Sequence, residues 1–235
     1  MNRTDKFIDS FREAWSMVID VPHGENDNRA AVPFLTAAFI PLAGVVVGVL
    51  LTAAGFVLAW KAGAVLWAFA ALLVTELVDS GRGSRAFSEY VCKKLLNMSD
   101  GYFMQAAGTL LLIFKLAALY VISRSGNCGF MIVFFVVVFS VEMYLAAMPE
   151  RGAILEVDED EKRFLWVIPG VVVFLTFWIY PFAVLFSVLA AWGTIVLCRK
   201  KIWAKDRVLT GDDITFASGV CEAVLFAVAI ITLGV

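Results

Sequence analysis

The stretch Phe164-Leu-Trp-Val-Ile-Pro-Gly-Val-Val-Val-Phe-Leu-Thr-Phe-Trp-Ile-Tyr180-Pro181-Phe-Ala-Val-Leu-Phe-Ser-Val-Leu-Ala-Ala-Trp-Gly-Thr-Ile-Val-Leu-Cys198 is 35 residues long and carries no charge. As one helix it would reach about 50 Å, against roughly 30 Å of hydrocarbon to cross. Tyr180-Pro181 lies near its middle, and a proline disfavours helix in the residue before it. The run therefore predicts a tight hairpin of two spans. Arg163 and Arg199 flank it, and they fall on the same side only if the chain turns back.

Outward from this hairpin the pattern repeats. The chain is 61% hydrophobic and 17% charged, outside the range of soluble domains. Its apolar residues come in long blocks separated by polar punctuation. Ala30–Trp60, Ala62–Val78, Tyr102–Ser123, Phe130–Met148 and Thr215–Val235 supply the other spans. The expectation is an all-α polytopic bundle of about seven transmembrane helices, N-terminus in and C-terminus out. Residues 1–29 form an interfacial segment. Residues 30–235 form the membrane domain, with cytoplasmic loops at 79–101, 149–163 and 199–213. No removable leader is evident, because the first thirty residues carry ten charges and no long apolar core.

Basic residues test that parse independently. One side collects sixteen, among them Arg3, Arg12, Arg82, Arg85, Lys93, Lys94, Arg151, Arg163, Lys200 and Arg207. The other side receives only Lys61 and Arg124. The basic side is expected to be cytoplasmic, which points to a cytoplasmic (inner) membrane.

Two segments read as amphipathic. Asp5–Ile19 sets Phe7, Phe11 and Trp15 among Asp9, Arg12 and Glu13, and Ser84–Met98 sets Phe87, Val91 and Leu95 along one side. Each fits a helix on the inner surface or a helix packed on the ends of the spans. The four cysteines are widely separated, without the spacing of a zinc site. The lone histidine, His23, reads as interfacial.

Ionisable residues within a bilayer are expensive and invite a functional reading. Here they are Glu76 and Asp79 at the end of span two, Lys115 in span three, Glu142 in span four and Glu222 in span seven. Glu222 needs a partner. Lys115 is expected to be neutralised by a carboxylate such as Glu142, as a structural pair. Carboxylates beside lysines and arginines on one face would suit a divalent metal and a diphosphate. The same residue types would also serve an ion or proton pathway.

Leu209-Thr-Gly-Asp-Asp-Ile-Thr-Phe-Ala-Ser-Gly-Val-Cys-Glu222 closely resembles the C-terminal signature of the cobalamin synthase family (adenosylcobinamide-GDP ribazoletransferase). Thr210, Gly211, Asp212 and Glu222 match it in type and spacing. Phe39-Ile-Pro-Leu-Ala-Gly44-Val-Val-Val-Gly48 resembles the family's first-span Phe-x-Pro-x-x-Gly-x-x-x-Gly, and Pro22 resembles the proline ending its N-terminal helix. After span two the family carries His-Leu-Asp-Gly-x-x-Asp-x-x-Asp-Gly. The best match is Leu73-Val-Thr75-Glu-Leu-Val-Asp79-Ser-Gly-Arg82-Gly83, in which Asp79 keeps the middle carboxylate. Thr75 stands for the first, with Glu76 adjacent, and Arg82 for the third. Ser99-Asp100-Gly101 matches a further family run loosely.

The resemblance implies transfer of α-ribazole, or its 5′-phosphate, to adenosylcobinamide-GDP with release of GMP. It implies Mg²⁺ on Asp79, Asp212, Glu76 and Glu222, and catalytic roles for Asp79, Asp100 and Glu222. Arg82, Arg85 and Lys94 would contact phosphate. The expected partners are the lipid bilayer, the corrinoid nucleotide and α-ribazole, with no nucleic acid; association with further copies stays open. The lost aspartates leave two other readings open. One is a non-catalytic homologue with a decayed metal site that binds a corrinoid or a partner subunit. The other is a membrane transporter.

Overall fold

The computed structural model describes residues 8–10, 12, 14–15, 34–61, 63–78, 81–97, 101–147, 163–198 and 211–233. Among them there is no strand. The long helices are α1 (Phe34–Lys61), α2 (Ala64–Val78), α3 (Arg82–Tyr90), α4 (Gly101–Arg124), α5 (Phe130–Ala146), α6 (Val167–Phe177), α7 (Pro181–Leu197) and α8 (Gly211–Leu233). A π-turn over Val91–Leu95 extends α3, and a 3₁₀ turn over Arg163–Trp166 leads into α6.

Among the described residues, each of the seven expected apolar stretches is mostly helical. By length and composition α1, α4 and α8 can each cross a membrane, and α2 with α3 makes a fourth crossing if the bent pair is one span. The helix breaks where Tyr180-Pro181 predicts it, between two apolar helices of 11 and 17 residues that are shorter than the three candidate spans. α6 stops at Phe177, Tyr180 leaves the helical region (φ −130°, ψ 63°), and Pro181 opens α7. There the missing proline N–H costs nothing, because the first turn has no intrahelical acceptor.

At the centre stands α5, buried along almost its whole length from Phe130 to Leu145. A helix apolar on every side belongs inside a bundle, and α1, α6, α7 and α8 surround this one. The approach of α1 is at backbone distance. A Cβ at Gly44 would lie 2.8 Å from the Phe135 carbonyl oxygen, and one at Gly48 only 2.5 Å from the Ile132 Cα. The glycines of the first-span motif therefore let two helices touch, as small residues do in membrane bundles. Outside this core, large apolar side chains face outward: Leu50, Phe56, Leu77, Leu110, Trp178, Phe182 and Trp192 are each more than 60% exposed. Surface of that kind calls for lipid rather than water.

Described residues of both amphipathic segments touch the bundle. Near the N-terminus the described residues are helical, Ala14 is fully buried and Trp15 packs on the core. In α3 the buried face is Gly83, Ser84 and Ser88, continued by Cys92, at four-residue spacing apart from Gly83. Of the expected stripe, Phe87 and Val91 are half-buried, and the side chain of Leu95 lies outside the described residues. Small residues face inward because α3 lies close against α4 and α8. A Cβ at Gly219 would meet the Gly83 carbonyl oxygen at 2.5 Å, and one at Gly108 would touch the Ser88 hydroxyl at 3.3 Å. Phe216 of α8 is held by Tyr90 and Phe87, with ring centroids at 4.1 and 6.4 Å.

Candidate functional site

α2 and α3 meet at an angle of 81°. Gly81 makes the turn in the left-handed region at φ +67°, and its N–H donates to the Glu76 carbonyl at 2.7 Å. A side chain is disfavoured at such a φ. The bend directs the end of α2 and the start of α3 to one point inside the bundle, facing α4 and α8.

At that point is Lys115 of α4, 1% exposed. Its ammonium donates to Glu222 Oε2 of α8 at 2.6 Å, to Glu76 Oε1 of α2 at 2.8 Å and to Ser84 Oγ of α3 at 2.8 Å. Ser84 in turn donates to Glu76 Oε1 at 2.9 Å. A lysine has three donors and no acceptor, so every Nζ proton is used. The four side chains come from four helices and join segments 31 to 107 positions from Lys115 in sequence. With both carboxylates ionised, two negative charges meet one positive. The Glu222 side chain is 6% exposed and that of Glu76 22%, so Glu76 is the end of the triad nearer the surface.

Lys115 is thus paired with Glu222 and Glu76, correcting the expected pairing with Glu142. Glu142 is half-buried on α5, a helix that contributes nothing to the three Lys115 bonds. Glu222 does have the partner that its depth demands.

Of the other expected site residues, Asp79 and Asp100 lie outside the described residues. Asp212 belongs to the first turn of α8 and Lys94 to the π-turn after α3, and in both cases only the backbone is described. Arg82 is half-buried at the first position of α3. The Arg85 side chain is 82% exposed and pairs with Glu89 at 3.3 Å, so the structure does not bring it to the triad. Thr75, at the family's first aspartate position, donates its hydroxyl to the Leu72 carbonyl of its own helix at 2.8 Å. Ser84 was missed in the sequence. Its one signal was the small-residue face shared with Ser88 and Cys92.

A divalent cation needs about six oxygen ligands at roughly 2.0–2.6 Å. Glu76 and Glu222 each commit an oxygen to the Lys115 ammonium, which would repel a second cation at the same place. Among the described residues no group of three or more His, Cys, Asp or Glu side chains is arranged to hold a metal. The described residues therefore do not fit the Mg²⁺ that the resemblance implies. All four cysteines are buried as free thiols.

Comparison of the chain with models of known families, with curated proteins and with solved structures finds no match.

Proposed function

We propose that the chain is a seven-span protein of the cytoplasmic membrane, N-terminus in, that resembles cobalamin synthase in binding a nucleotide-linked corrinoid at its cytoplasmic side and transferring α-ribazole to it. One observation carries the proposal. The two motif stretches matched separately, around Asp79 and from Thr210 to Glu222, meet in space: Glu76 and Glu222 share the Lys115 ammonium, and Gly83 touches Gly219. Helix-packing charges placed without regard to such a site have no reason to unite those two stretches. The orientation follows from sixteen basic residues against two, and it turns the triad's approach toward soluble nucleotides.

In the proposed reaction a ribazole hydroxyl oxygen bonds to the corrinoid-side phosphorus of the diphosphate. The bond from that phosphorus to the bridging oxygen breaks, GMP leaves with the oxygen, and the hydroxyl proton is released. Arg82, Arg85 and Lys94 are the proposed phosphate contacts. Arg85 is the readiest, since an exposed pair such as Arg85–Glu89 is worth little and is easily exchanged. Asp79, Asp100 and Asp212 remain proposed acidic groups of the site.

A second reading has its own support: the same scaffold binds a corrinoid without transfer. Thr75 is turned to its own backbone, Arg82 stands for an aspartate, and a lysine sits between Glu76 and Glu222. One assay separates the readings. The full chain in proteoliposomes is given adenosylcobinamide-GDP and α-ribazole, with and without Mg²⁺. Transfer predicts cobamide and GMP in equal amounts. Retained corrinoid without product identifies the binding homologue. Neither binding nor product contradicts both and leaves the ion-pathway reading.

A further inference from the structure

We infer that Lys115 is the resident cation of this site: its ammonium holds the place between Glu76 and Glu222 that a divalent ion would take, and it closes the pair to metals. The inference rests on the geometry of the triad and not on the transferase reading.

Two carboxylates from helices far apart in sequence converge on one buried point, as metal-binding carboxylates do. What occupies the point is a side chain of the same protein. All three Nζ donors are filled, at 2.6, 2.8 and 2.8 Å, and Lys115 is 1% exposed. An entering ion would have to expel a tethered, buried cation from three acceptors. Tethering gives the ammonium a far higher local concentration than any dissolved ion. Burial also leaves the lysine without water to accept its protons once displaced. Ser84 completes the arrangement. It accepts from Lys115 and donates to Glu76 Oε1, so the oxygen facing the ammonium is held in place from two sides. Removal of the lysine should convert a closed ion pair into an open carboxylate pair.

The test uses the full chain in lipid nanodiscs and Mn²⁺ alone, with free Mn²⁺ followed by electron paramagnetic resonance. Wild type and Glu222→Gln are expected to leave equal free Mn²⁺. Lys115→Met should gain one site per chain, with a dissociation constant on the order of 10⁻³ M or tighter, and Lys115→Met/Glu222→Gln should lose it again. A wild-type Mn²⁺ site that Glu222→Gln or Glu76→Gln abolishes would overturn the inference, as would a folded Lys115→Met that gains no site. Should Lys115→Met not fold, wild type against Glu222→Gln decides alone. Equal free Mn²⁺ supports the inference, and a site lost in the variant overturns it. Since no turnover is read, failure of the transferase assay leaves this result unaffected.

Discussion

Lys115 and Glu222 each stand inside a long apolar run, and each must find an opposite charge. That requirement was legible from the sequence; the identity of the partner was not. Spacing along one helix fixes which residues share a face, but not which face meets which helix. Glu142 was the expected partner of Lys115, and packing chose Glu222 and Glu76. Removing one member of a buried pair leaves a charge without compensation, which typically costs about 3–5 kcal/mol. Lys115→Met, which strands both carboxylates, should therefore lower the thermal unfolding midpoint in detergent markedly, and Glu222→Gln, which leaves Lys115 paired with Glu76, should lower it less. Ser84→Ala should cost less, about 1–3 kcal/mol, because Glu76 Oε1 keeps its bond to Lys115. At the surface the sign is simple and the size small. The Lys93 hydrogen bond holds the Glu89 carboxyl below its ordinary 4.5. The gain is therefore present above that value and lost as acid carries the pH through the depressed one. Exposed pairs are worth about 0–1 kcal/mol, so Glu89→Gln should leave the midpoint nearly unchanged at neutral pH.

At the scale of the element, the hairpin break at Tyr180-Pro181 was readable because proline acts locally. The inward face of α3 was not. Apolar periodicity suggested Phe87, Val91 and Leu95, whereas the nearest approach of α3 to α8 is backbone to backbone at Gly83 and Gly219, with Phe87 and Tyr90 against Phe216 beside it. Gly219→Ala tests this directly. The new methyl would lie 2.5 Å from a backbone oxygen, so α3 must move off α8. Overpacking of this kind costs about 1–3 kcal/mol. Cys92, fully buried at the end of the same face, should then react faster with a maleimide in native protein. Unchanged labelling at an unchanged midpoint would show that α3 is not seated there. Gly48→Ala should weaken the α1–α5 contact by a similar amount, since its Cβ would meet the Ile132 Cα.

For the whole molecule, the all-helical architecture and its apolar segments followed from composition and blocked hydropathy, since a bilayer leaves the backbone few other solutions. How the segments assemble did not follow. α5 is enclosed by its neighbours, and α3 turns by 81° from α2. The bend is what carries Glu76 and Ser84 to Lys115. The central claim is that α2, α4 and α8 are joined at a single buried charge centre, and a double-mutant cycle between Lys115→Met and Glu222→Gln tests it most directly. Unfolding in detergent should give a coupling energy well above the roughly 0.3–0.5 kcal/mol within which distant sites add, the double variant being less destabilised than the two single losses together. Additivity within that margin would place the two residues apart and contradict the account.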